Sequence, residues 1–113
     1  MASCQEGSFD QCYILFPDPW PKKKHHKKRL ICPDTIDLLA RALKPGAQLL
    51  IATDHVDYAH WITSFMGRSN DFVWSNYRPD QWYQSPDGWI KTRYQEKAEK
   101  EGRSAMFFEY ERL

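Results

Sequence analysis

Gln11-Cys12-Tyr13-Ile14-Leu15-Phe16 is a short apolar run, stopped at once by Pro17-Asp18-Pro19. Ala47–Thr53 (AQLLIAT) has the same form and ends at Asp54. Apolar runs of this length, bounded by turn residues, read as buried strands. Strands apolar on both faces suit a parallel sheet covered by helices. Between the two runs lies a helical pattern. Asp34 is the expected N-cap, Asp37 sits near the positive end of the helix dipole, and Ile36, Leu39, Ala40 and Leu43 form one buried face. Lys44-Pro45-Gly46 is expected to end it.

The pattern continues outward. A second helix is expected from about His55 to Met66, stopped by Gly67. Asp71–Ser75 predicts a third strand, and residues 76–89, rich in Pro, Trp and Tyr, a long loop packed by its own aromatics. Ile90–Glu101 predicts a third helix ended by Gly102, and Ser104–Arg112 a last strand. Strands alternating with helices give an α/β fold with a doubly wound sheet. No internal repeat is present.

In such a sheet, Asp18 and Asp54 follow parallel strands and lie on the carboxyl rim, where doubly wound folds bind ligands. The alternative is that Asp18 caps a turn and Asp54 caps the next helix. Beside Asp18 the sequence is strongly biased. Residues 22–29 read Lys-Lys-Lys-His-His-Lys-Lys-Arg, holding six of the 16 Lys and Arg and none of the 15 Asp and Glu. A formal net charge of +1 therefore hides an acidic remainder and one basic loop. The loop is either a solvated face or a contact for nucleic acid, whose phosphates such a cluster neutralises. Trp20 either stacks on a base or packs the loop. Thr92 either caps the third helix or offers a hydroxyl and backbone N–H groups to a ligand.

Other chemistries find little support. His25 and His26 have no ligand spacing with the cysteines, and His55 and His60 lie about 140° apart around a helix. No metal site is expected. A Cys–His nucleophile pair has no local signature. Cys4, Cys12 and Cys32 read as reduced thiols in a cytoplasmic protein. No apolar run reaches the roughly 20 residues of a membrane span, and MASCQEGSFDQ has no secretory pattern.

The stretch Phe16-Pro17-Asp18-Pro19-Trp20-Pro21-Lys22-Lys23-Lys24-His25-His26-Lys27-Lys28-Arg29-Leu30-Ile31 resembles the signature of the bacterial tRNA (guanine-N7-)-methyltransferases. Leu43-Lys44-Pro45-Gly46, Thr53-Asp54 followed by Tyr58, and Thr92-Arg93-Tyr94 with Lys97 and Gly102 follow in the same order as in that family. The resemblance runs from about Ser8 to the end. It implies a Rossmann-like, S-adenosylmethionine-dependent methyltransferase fold, with an antiparallel last strand. It implies a tRNA substrate methylated at N7 of a guanine.

Residue by residue, the resemblance makes Asp18 the carboxylate at the methyl-transfer centre and a cofactor contact. Lys22, Asp54, Thr92, Arg93, Tyr94 and Gln95 match substrate-contacting positions. Lys24, His25, His26, Lys27, Lys28 and Arg29 match the RNA-contacting loop, which spans residues 17–29. Two positions depart: Gln95 stands where the family has Glu, and Lys28 where Arg is common. The family's Gly-rich cofactor turn has no counterpart among the five glycines. Residues 1–113 are thus expected to form the carboxyl half of such an enzyme. The expected partners are tRNA and either an amino-terminal half or a second copy. Two other classes remain: a non-catalytic RNA-binding module, and an inert fragment whose exposed half-sheet self-associates.

Overall fold

A computed structural model of the chain describes residues 9–113. Cys4 and most of the stretch read for a secretory pattern lie outside them. The elements run β1 (Phe9–Leu15), α1 (Pro33–Ala42), β2 (Leu43–Thr53), α2 (Val56–Gly67), β3 (Phe72–Trp74), α3 (Arg93–Lys100) and β4 (Met106–Arg112). Short 3-10 turns occupy Lys23–Lys28 and Pro79–Gln81. The four strands form one sheet in the order β1-β2-β4-β3. β1 pairs parallel to β2, and β4 pairs antiparallel to both β2 and β3. Three strands therefore point one way and the last points back, as expected.

The core follows from strand alternation. Leu49 and Ile51 of β2, with Met106, Phe108 and Tyr110 of β4, face α1 and α2. The helices answer with Ile36, Leu39 and Ala40, and with Tyr58, Ala59, Ile62 and Met66. Each large apolar side chain so buried contributes roughly 1.5–3 kcal/mol. The opposite face carries a smaller cluster of Leu50, Ala52, Ala105 and Phe107, covered by Phe16 and Trp89. That cover does not extend over β1. Phe9, Tyr13 and Leu15 are 43%, 58% and 40% exposed, and the outer edge of β1 has no strand partner among the described residues. In these residues no helix is long and apolar enough to cross a membrane.

Three of the boundaries that differ from expectation have a clear local cause. Cys32, not Asp34, is the N-cap of α1, because Pro33 takes the first helical position. Its fixed φ and missing N–H suit that place. Lys44-Pro45-Gly46 do not separate α1 from β2 but lie inside β2. The β1–β2 register jumps there, from Phe9↔Leu43 to Gln11↔Gln48. Such a bulge accommodates Pro45, which lacks a ladder donor, and Gly46, which has φ 86°. Finally, α3 starts at Arg93 because Thr92 caps it.

Candidate active site at the carboxyl rim

β1 and β2 end side by side. Leu15 pairs with Ala52, and the Phe16 N–H extends the pairing by donating to the Ala52 carbonyl at 2.7 Å. Asp18 follows β1 and Asp54 follows β2, so both stand on one rim. The backbone around Asp18 is unusual. Phe16 and Trp20 both have positive φ, 51° and 41°, without being glycine. Each such residue costs roughly 1–3 kcal/mol and persists only where its surroundings hold it.

Those surroundings are visible. The Phe16 ring lies 5.1 Å from that of Tyr94. Trp20 meets His25 edge-on at 5.5 Å and carries the Lys28 ammonium 4.8 Å above its ring. Trp20 therefore packs the basic loop. The Pro19 carbonyl accepts from Arg29 Nε at 2.7 Å. Asp18 itself is exposed. Among the described residues, no hydrogen bond or ion pair engages its carboxylate.

Asp54 is different: it is only 9% exposed. It does not cap α2. That cap is His55, whose Nδ1 accepts from the Tyr58 N–H at 3.2 Å. Asp54 Oδ2 instead accepts from Arg103 Nε at 2.9 Å, and Arg103 also engages Glu101. Burial raises the Tyr94 hydroxyl pKa; the Asp54 charge adds to this, and Arg103 opposes it. Tyr94 thus links its own segment to the other two singled out in the sequence, touching Phe16 and lying beside Asp54, with Arg103 as a further neighbour.

The start of α3 splits in two directions. Thr92 Oγ accepts from the Gln95 N–H at 3.0 Å, so its hydroxyl is a cap. Gln95 is buried, and its Oε1 accepts from the Trp89 indole at 2.8 Å. It lines a cavity of about 340 Å³ with Lys91, Glu99 and Phe107. Arg93 is exposed.

Most of the basic run is outward. Lys22, Lys23, Lys24, Lys27 and Lys28 are exposed, His25 and His26 half-buried. Arg29 corrects the expectation that the whole run faces RNA. Its side chain is fully buried and bridges to Asp57 at 2.7 Å. Its guanidinium lies 5.1 Å over Tyr58 and 4.8 Å over Trp61. A planar, delocalised guanidinium can lie flat on aromatic rings while its N–H groups still bond in the plane. Arg29 holds the Asp57 carboxyl below the usual carboxylate range. Arg29 thus clamps the end of the basic turn both to α2 and to the Asp18 loop. No cluster of three or more His, Cys, Asp or Glu able to hold a metal occurs among the described residues.

Arg103 is a site residue that the sequence does not single out. Its partner Asp54 lies 49 positions away, and no local spacing signals such a pair.

Comparison with known proteins gives the chain a family. The family described as "Putative methyltransferase" matches residues 1–108. A tRNA (guanine-N(7)-)-methyltransferase of Zymomonas mobilis is 40% identical over 108 residues, covering 96% of this chain and 47% of that protein. Proteins of the same name from Azorhizobium caulinodans and Ruegeria pomeroyi are each 42% identical. The matches cover 100% and 94% of this chain, against 49% and 44% of the relatives. The chain thus spans about half the length of the curated relatives it matches. A match this long, with the motif carboxylates on one rim beside a clamped basic turn, means that the chain belongs to this methyltransferase family.

Proposed function

We propose that the chain is the tRNA-gripping, carboxylate-bearing half of a tRNA (guanine-N7-)-methyltransferase. The observation that carries this is the bond between Arg29 and the Pro19 carbonyl. It fixes the cationic turn next to Asp18, so a tRNA backbone held by Lys22–Lys28 brings its bases to the rim. Lys22, Lys24, His25, His26, Lys27 and Lys28 meet phosphate; Arg29 serves by holding the turn. Asp54, Arg93 and Tyr94 face the base, with Thr92 and Gln95 supporting them. A reaction on tRNA belongs in the cytoplasm.

The chemistry suits these residues. Guanine N7 carries a lone pair and no proton, so attack needs no general base. The methylated base is cationic. Carboxylates fixed nearby favour that charge, and alignment supplies much of the remainder. S-adenosylmethionine supplies the methyl group as a sulfonium-borne electrophile. The described residues do not build a cradle for its nucleoside. Such a cradle needs glycines close together in a strand-to-helix turn, and Gly46, Gly67, Gly88 and Gly102 stand far apart along the chain. Asp18 is what this half offers; the rest of that site lies in the further length of the relatives. That length also covers the open edge and face of β1, since parallel sheets are covered on both sides.

The test is methyl transfer from labelled cofactor to unmodified tRNA, by this chain alone and by this chain with the amino-terminal half of a full-length relative. Transfer is expected only with both halves. No transfer with both pieces folded and associated overturns the reading.

A further inference from the structure

We propose that Arg103 is a positioning residue that sets base selectivity by fixing Asp54, a role that rests on the function proposed above. The backbone places it. α3 ends in a Schellman turn: Gly102 has φ 83°, its N–H donates to the Glu99 carbonyl at 3.0 Å, and the Arg103 N–H donates to the Ala98 carbonyl at 2.9 Å. The turn throws the Arg103 side chain back across the rim onto Asp54. Glu101 engages the same guanidinium on its other arm, which keeps it from swinging out to a phosphate.

The chemistry separates two roles for this cation. An arginine can read guanine directly through O6 and N7. Here that would occupy the lone pair that must accept the methyl group. Arg103 therefore acts through Asp54. A guanine taken out of its stack presents N1–H and the N2 amine side by side, and one carboxylate can accept from both. That reading requires the carboxylate to be held in one orientation. The charge-assisted bond from Arg103 fixes that orientation. Tyr94, beside both groups, carries the same alignment to the Phe16 ring and the Asp18 loop.

The experiment uses this chain paired with the amino-terminal half of a relative, on tRNA carrying guanosine or inosine at the methylated position. Inosine keeps N1–H and N7 but lacks the N2 amine. The wild-type pair is expected to prefer guanosine by about tenfold or more in kcat/KM. Arg103→Gln is expected to bring that preference to within about twofold while leaving tRNA affinity unchanged. A merely structural defect would slow both substrates alike and leave the ratio intact.

If Arg103→Gln does not fold, Arg103→Lys decides. Its ammonium cannot span both carboxylates, so the preference should drop about threefold. Methylation of both substrates at equal rates by the wild-type pair overturns the proposal, as does an unchanged preference in the folded variant. Absence of any transfer by the wild-type pair brings down the proposed function, and this inference with it.

Discussion

Arg29 Nε donates to the Pro19 carbonyl at 2.7 Å, which ties the last residue of the basic run to the residue after Asp18. The same guanidinium reaches Asp57 and lies over two aromatic rings of α2. One buried cation thereby couples three segments: the rim loop, the basic turn and a core helix. Arg29→Ala strips the Pro19 carbonyl of its donor and empties the space over Tyr58 and Trp61. It should destabilise the fold by about 2–4 kcal/mol, read from urea unfolding. Lys23→Ala and Lys27→Ala, both on the exposed side of the turn, should leave the unfolding midpoint unchanged.

Those lysines should be felt elsewhere. A lysine that neutralises a phosphate releases a counterion on binding, and alanine in its place does not. Each substitution should therefore lower the slope of log affinity for tRNA against log salt by about 0.7–1. Binding titrations at several salt concentrations measure this. Unchanged affinity in a folded Lys23→Ala/Lys27→Ala variant would remove the shared premise of the enzymatic and RNA-binding readings.

How far this division is legible in the sequence depends on what sets it. The two strands before Asp18 and Asp54 are readable as short apolar runs; β2 is buried on both faces over Leu49–Thr53, whereas β1 is apolar although Tyr13 and Leu15 stand exposed. The basic run is readable as a charge cluster. The inward turn of Arg29 is not, because Tyr58 and Trp61, which receive it, come from a helix far along the chain. The strand order is also hidden: β4 inserts between β2 and β3, and pairing depends on long-range packing that no local pattern encodes. Asp54 illustrates both sides. Its place on the rim follows from strand periodicity, and its partner Arg103 follows from nothing local.

Asp18→Asn separates catalysis from binding. Asp18 is exposed and has no hydrogen-bond or ion-pair partner among the described residues, so the substitution should change stability by less than about 0.5 kcal/mol. tRNA affinity should hold. Methyl transfer by the paired halves should fall by about 10²–10³, seen in single-turnover assays. Transfer at the wild-type rate would move the methyl-transfer centre away from Asp18.

Tyr110 offers a test of burial itself. Its hydroxyl is buried and has no hydrogen-bond partner among the described residues. Burial raises its pKa, as it does that of Tyr58. The folded chain therefore favours the neutral phenols. The stability this supplies is complete below their ordinary value of 10.0 and is lost as pH rises through the raised folded values. Unfolding followed against pH should show a decline that begins near that ordinary value, and Tyr110→Phe should make it shallower. At neutral pH the same variant should be about 1 kcal/mol more stable than wild type, since it removes an unpaired buried hydroxyl.

The open flank of β1 makes the last prediction. An unpaired strand edge is a template for another strand, and Tyr13 and Leu15 add exposed apolar surface on the face beside it. Alone, the chain should self-associate, with a solution mass that rises with concentration in sedimentation equilibrium. Tyr13→Lys and Leu15→Lys together should hold it monomeric, because charge on an edge strand opposes pairing. Addition of the amino-terminal half of a relative should give a one-to-one complex with wild type and a weaker one with the double variant. Self-association that persists when that half is in excess would favour the inert-fragment reading over the enzymatic one. Its displacement by that half would mean that the edge of β1 serves as a joint between the two parts of one catalytic domain.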